Sequence, residues 1–338
     1  MSPQPVAPPT RASGLRPPLP SARGPLSEEI IQVLSSGGWT CRWAPADADP
    51  LGEDVQLALY IAYELHYRGF AGVEPAKEWD LEVLARRRTL EALFRDALRA
   101  AVGRPGSADA LEVEIEALLQ PPSDSGPSAH LLRNPDLERL REVVVHRSLY
   151  HLKEADPQAW VLPRLEGAAK TLIAAVEFDE YGGGRADRSH AELYAAMMRC
   201  LDLDDSYGAY LDVVPAPMIA IVNFMSMCGL HRDLRGALLG QLAVVELTSP
   251  LTSRRMVDVA RAHGCGAEVE AFYAEHVVAD VVHERTMRDA LAAAVDTEPA
   301  LAADIVFGMR AAHMLDSRLD AHLLTRWGAG RSSLLGSG

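Results

Sequence analysis

From "LSEEIIQVLSS" at residue 26 onward, apolar side chains recur at three- and four-residue spacing, and almost nowhere do they alternate. A 3.6-residue period places such positions on one face of a helix, whereas a half-buried strand hides every second residue. The spacing therefore predicts an all-α fold. We place helices over 27–36, 52–68, 79–102, 108–119, 135–155, 158–182, 188–202, 216–229, 233–246, 252–263, 267–294 and 298–325. Two starts carry their own signals: "NPDLERL" offers Asn134 as cap before Pro135, and "DPQAW" offers Asp156 before Pro157.

Residues 1–26 read as a disordered leader, because eight of the 22 prolines fall there and large apolar residues are scarce. The stretch "QPPSDSGPSAHLLRN" at 120–134 is the one loop-rich interior segment. It separates an N-terminal helical layer, 27–120, from a core at 135–330, and with no second core or internal repeat we treat 27–330 as one domain. A net charge of −14 argues against nucleic acid or an anionic membrane as partner, since both attract clustered Lys and Arg. Cys41, Cys200, Cys228 and Cys265 stand far apart without a C-x-x-C pair, which suggests reduced thiols. There is no charged leader with an apolar run and no apolar stretch of membrane-spanning length. A cytoplasmic protein is the expectation.

The stretch "AEHVVADVVHER", 274–285, raises a chemical question. On a helix, His276, Asp280 and His283 lie at relative angles of roughly 0°, 40° and −20°, one narrow stripe, while valines and alanines fill the opposite arc. Polar groups on a helix this apolar need partners. By itself the stripe suits an inter-helix hydrogen-bond cluster as well as a metal site. Two imidazoles and one carboxylate leave a metal site open, so other helices would have to contribute. Candidates are Glu154 in "LYHLKEADPQAW", and Glu180 and His190 in "VEFDEYGGGRADRSHAELY". On an unbroken helix the last two would stand about 15 Å apart and about 80° out of register. Gly182, Gly183 and Gly184 can break the helix and let them converge.

Taken in order, Glu154, Glu180 within "DEYG", His190 and the H-x-x-x-D-x-x-H of His276, Asp280 and His283 resemble the haem-oxygenase-like non-haem di-iron oxidases, the iron-containing redox enzyme family. "LYIAYELHYRGF" at 59–70, "GQLAVVELTSP" at 240–250 and "RWGAGRSSL" at 326–334 look like landmarks of the same family. The resemblance implies a seven-helix haem-oxygenase-like bundle with an extra N-terminal layer. It implies two Fe ions, cycling between Fe2+ and Fe3+, held by those three carboxylates and three imidazoles, with O2 as co-substrate and a peroxo di-iron(III) intermediate. The implied activity is oxidation of a small amine- or carboxylate-bearing metabolite in a biosynthetic pathway. N-oxygenation is preferred, with oxidative C–C cleavage or desaturation of an amino or fatty acid as alternative. The resemblance also leaves room for an external electron donor such as a reductase, and for a homodimer. A non-catalytic iron or small-molecule binding protein is the competing class, and haem degradation ranks lower because it leaves the six-residue set unexplained.

Around that set we place Tyr181, Tyr194, Asn223, Glu284 and Lys170 as supporting or pocket residues, Glu284 as an orienter of a ligand imidazole. Lys170, one of three lysines, reads better as a solvated side chain. Glu177 and Asp179 are left to solvent. His146 and His151 have no counterpart in the family pattern and are read as surface or supporting residues. Glu64 and His66 differ by about 200° around their helix and are read as packing.

Overall fold

The computed structural model describes residues 16–38, 45–103, 108–120 and 124–336, with the backbone alone at 108, 109 and 278–281. The described residues form thirteen α-helices and no strand. The first five are α1 (Pro25–Ser36), α2 (Glu53–Glu64), α3 (Leu81–Val102), α4 (Ala108–Leu118) and α5 (Pro127–Arg133). The rest are α6 (Leu137–His151), α7 (Asp156–Ala159), α8 (Gly167–Glu180), α9 (His190–Cys200), α10 (Ala216–Leu230), α11 (Arg235–Ala262), α12 (Ala267–Thr297) and α13 (Leu301–Gly328).

Helix α10 is apolar around nearly its whole circumference, and only Pro217 and Leu230 escape full burial. A helix of that kind can exist only inside other helices. It packs on α2, α6, α7, α11 and α13. Helix α12 packs on α8, α9 and α11, and α11 on α13, so α11 links the two halves of the bundle. The N-terminal helices lie over this body: α2 against α1, α3 and α10, and α3 and α4 against α13. A buried ion pair, Lys153 Nζ to Glu64 Oε2 at 3.1 Å, ties α2 to the turn after α6, and the Tyr207 hydroxyl donates to the same carboxylate at 2.7 Å.

Three expectations need correction. Helices drawn at 233–246 and 252–263 are one helix, α11, which runs through Pro250. A mid-helix proline removes one hydrogen bond and costs about 3 kcal/mol. Buried residues on both sides, from Gly236 to Leu247 and from Ser253 to Ala260, outweigh that cost by packing as one unit. The leader is not disordered throughout. From residue 16 it is docked, with Pro17 and Pro20 buried, Ala71 N donating to Pro17 O at 2.8 Å and Ser21 N donating to Asp212 Oδ1 at 2.7 Å. Prolines leave little conformational freedom to lose, so an extended Pro-rich segment docks at low entropic cost. Residues 1–15 lie outside the described residues. The loop-rich 120–134 stretch contains α5, whose Leu131 is buried against the body.

Candidate metal centre

Glu154 does not sit on a helix. α6 ends at His151, and Glu154 occupies the tight turn that follows, before Ala155 at φ +74°, a conformation uncommon for a residue with a Cβ. Glu180 is the last residue of α8. After it the chain takes two short 3-10 turns, at 182–184 and 186–188, with positive φ at all three glycines. A Cβ on Gly182 would fall 2.6 Å from Ser189 N, so the reversal requires glycine there. Helix α9 then begins at His190, capped by the Ser189 side chain, which accepts from Glu192 N. The break removes the 15 Å separation: His190 Nδ1 stands 2.6 Å from Glu180 Oε2.

Two groups of donor atoms result. Glu154, His190 and His276 form one triad, and Glu180, Glu246 and His283 form the other, each within 4.8 Å. All six residues are 2–8% exposed. Glu180 joins the triads, because its Oε2 faces His190 while its Oε1 lies 3.7 Å from His283 Nδ1. The His190 and His276 rings lie 4.3 Å apart between centroids. Asp280 lies on α12 between His276 and His283, but its side chain falls outside the described ones.

The donor chemistry fits cations. His276 Nδ1 donates to the Phe272 carbonyl at 2.8 Å, which leaves its Nε2 lone pair pointing toward Glu154 Oε1 at 3.9 Å. That nitrogen and the carboxylate are close enough to serve one cation together. His190 Nδ1, despite its closeness to Glu180, lacks hydrogen-bond geometry to any described residue, and Glu154 Oε2 is likewise buried without a partner. Among the described residues, Glu154 and Glu180 pair with imidazoles alone. Burial would raise the Glu154 carboxyl, but His151 and His276 outweigh it and hold it well below the usual range. Burial lowers His190 and the Glu180 contact more than restores it, for a net rise. Imidazole and carboxylate in this ratio suit iron, manganese or zinc rather than a hard alkaline-earth ion or a thiolate-seeking one.

Glu246 is the residue that sequence reasoning missed. Its Oε2 lies 3.0 Å from His283 Nδ1. The available signal was a single carboxylate inside the apolar run "LAVVEL" of α11. Glu177 is the other correction: assigned to solvent, it is 4% exposed, with Oε2 unpartnered. It precedes Glu180 by three residues and so shares its helix face. Burial first, then Glu180 and Glu246, push its carboxyl up to about 9 from 4.5. The folded chain therefore keeps a proton that the unfolded chain releases. In metal-free protein this contribution to stability is complete below about pH 4.5 and is lost as pH rises toward 9. Urea denaturation of metal-free Glu177→Gln should show the variant gaining on the parent chain as pH rises through that window; parallel curves would mean that Glu177 ionises normally.

Asp179 keeps 55% of its side chain exposed, with Oδ2 3.3 Å from His283 Nε2. His151 supports the centre directly: its Nδ1 is 2.9 Å from Glu154 Oε1, and its ring stacks on Tyr194. Tyr194 donates to the Val144 carbonyl at 2.8 Å. Tyr181 donates to Asp156 Oδ1 at 2.9 Å and is 42% exposed. His146 is not a surface residue: it is buried against Ser333 Oγ at 2.9 Å, where its pKa falls to about 3 through burial, His322 and Arg147. Three supporting assignments change. Asn223 spends its amide on Gln56 of α2 at 2.7 and 2.9 Å, because α10 and α2 are in contact there. Glu284 makes no hydrogen bond to an imidazole among the described residues; the Phe272 carbonyl orients His276 instead. Lys170 is exposed near the start of α8, about 15 Å along the axis from Glu180, and is no pocket residue.

An all-α bundle whose inner helices bring imidazoles and carboxylates together in two joined triads defines a class, that of helical proteins able to hold transition metals between their helices. The chain belongs to the iron-containing redox enzyme family, whose model matches residues 141–317. That span contains both triads. Two solved structures of a CADD-like protein of unknown function from Nostoc punctiforme share the fold. The one at 2.00 Å resolution has a TM-score of 0.52 at 15% identity and covers 64% of this chain and 97% of its own. The one at 1.35 Å has a TM-score of 0.50 at 12% identity, with 66% and 96% covered. Among curated protein sequences nothing matches. No helix among the described residues is long and apolar enough to cross a membrane.

Proposed function

We propose that the chain is an O2-dependent di-iron oxidase acting on a small amine- or carboxylate-bearing metabolite, with N-oxygenation as the first reaction to test. The observation that supports this most is the shared carboxylate: Glu180 reaches both triads, as a bridge between two cations would. Glu154, His190 and His276 would hold one iron and Glu180, Glu246 and His283 the other, with Asp280 supplied from the same stripe of α12. Bound iron would supply Lewis acidity and the electron-transfer steps by which O2 is reduced.

The chain's own residues set the conditions for that chemistry. The Phe272 carbonyl fixes the His276 tautomer, and His151 holds the Glu154 carboxylate in place. Phe272, Tyr194 and Tyr150 wall the His151 side with aromatic surface and keep water out. Dry surroundings protect a reactive oxidant and strengthen every charge interaction inside.

Anaerobic titration with Fe(II) should end at two irons per chain, and mixing with O2 should then produce a visible absorption band. A single iron per chain refutes the dinuclear reading. Two irons with no optical response to O2 would leave a metal-binding protein that is not an oxidase.

A further inference from the structure

Glu154 sits in a turn of four residues, Leu152 to Ala155, between α6 and α7. Two features favour relaxation of that turn. Ala155 has φ +74° and ψ −32°, a backbone shape that a residue with a Cβ keeps only where its surroundings impose it. Glu154 Oε2 is buried without a partner, which favours any motion that brings the carboxylate to water.

The contacts that oppose such motion come from the N-terminal layer. Arg68 Nη2 donates to the Leu152 carbonyl at 3.3 Å. Lys153, the neighbour of Glu154, sends its side chain into that layer and not into the triads. Its ammonium lies 3.1 Å from Glu64 Oε2, and 4.0 and 5.0 Å from the ring centres of Tyr67 and Tyr60. Both charges are sealed from solvent, with 1% and 0% of their side chains exposed. The cage around the ammonium is itself braced. Tyr67 stacks on Trp160 with ring centres 4.8 Å apart, and its hydroxyl meets Ser226 Oγ of α10 at 2.9 Å. Tyr207 donates to Glu64, and the Arg68 guanidinium covers the Tyr207 ring at 4.1 Å. A carboxylate and two aromatic faces thus hold the ammonium in one place, and the main chain of residue 153 with it. A buried ion pair is a poor source of net stability, because desolvation consumes most of its attraction. This one ties down the residue beside a metal-binding carboxylate.

We propose that Lys153 is a positioning residue for the metal centre: seated in its cage on α2, it holds the strained turn so that Glu154 faces His190 and His276 across one cation. The N-terminal layer is then part of the support of the first triad and not only a cover over the bundle. This role rests on one part of the di-iron reading, that Glu154, His190 and His276 share a metal ion. It needs neither the second ion nor O2.

Anaerobic Fe(II) titration of the full chain, read as an iron count and a dissociation constant for each step, compares the parent with Lys153→Met and with Lys153→Met/Glu64→Gln. Lys153→Met keeps the stem and deletes a positive charge near the centre. Were that charge acting through its field alone, cations would bind more tightly without it. Loss of positioning should instead weaken one iron tenfold or more, in line with the roughly 10- to 100-fold worth of groups that orient metal ligands. The weakened step should be the one that His276→Ala removes, and the other should not change. The double variant deletes both buried charges, which costs a fold far less than stranding one of them. Its thermal midpoint should return toward the parent value while the first iron stays weakened tenfold or more, and this variant carries the test if Lys153→Met alone does not fold. Parent-like or tighter binding in Lys153→Met overturns the proposal, as does recovery of the iron together with the midpoint in the double variant, or equal weakening of both irons in a chain that keeps its circular dichroism. A parent chain that takes up a single iron would refute the dinuclear reading, and the role of Lys153 would stand or fall on whether that iron weakens in the double variant. A parent chain that takes up none refutes both.

Discussion

Replacing Gly308 by alanine is expected to lower stability by about 3 kcal/mol or more, roughly 4 °C or more in Tm for a chain of this size. Helices α11 and α13 cross where two glycines face each other's backbone. A Cβ on Gly308 would overlap the Ala237 carbonyl oxygen and lie 2.7 Å from the carbonyl carbon and Cα. A Cβ on Gly240 would overlap the Ile305 carbonyl oxygen and lie 2.8 Å from Met309 N. The obstacle in each case is main chain, which cannot rotate aside as a side chain can, so the helices must separate. Because α11 carries Glu246, separation should also loosen the second triad. Thermal unfolding of Gly308→Ala beside Gly328→Ala provides the contrast. Gly328 closes α13 with nothing within 4 Å of its Cβ position, and alanine there should be neutral or slightly stabilising. Equal midpoints for the two variants would show that the crossing is not tight.

Glu180→Ala should abolish binding of at least one iron and weaken the remainder roughly 100-fold or more, beyond the 10–100-fold typical when only a ligand's supporting partner is lost. Its carboxylate faces both triads, so its removal cannot be confined to one. Glu246→Ala reaches one triad only and should cost one iron. His276→Ala should cost the other. Asp179→Asn, half exposed beside Glu180, should retain two irons. Iron counted after anaerobic loading, with far-UV circular dichroism to verify folding, separates these cases. If Glu180→Ala and His276→Ala both keep two irons, the centre lies elsewhere.

The residues of this centre differ in how readily the sequence exposes them. His276 and His283 are visible from helical periodicity, because a stripe on an apolar helix is a local property. Glu154, Glu180 and His190 needed a family resemblance, since the first lies in a turn and the last is brought back by a three-glycine reversal whose path no periodicity encodes. Glu246 escaped because its partner His283 is 37 residues away on another helix, a pairing that no local periodicity encodes. Glu177 was readable in principle, sharing a face with Glu180, but burial is a property of what packs on the face. The leader shows the same limit: composition predicts disorder, yet Asp212 and Ala71 supply contacts that hold it from residue 16 onward.

The sequence by itself determined the helices, their apolar faces and most of the metal-capable side chains, because helix formation and amphipathicity depend on neighbours within one or two turns. Tertiary structure alone decided which helices meet. The Gly240–Gly308 crossing, the continuity of α11 through Pro250 and the turn after α6 set the distances that sort carboxylates and imidazoles into two joined triads. Those distances come from packing between residues far apart in the chain, where a gain of buried surface overrides local preference.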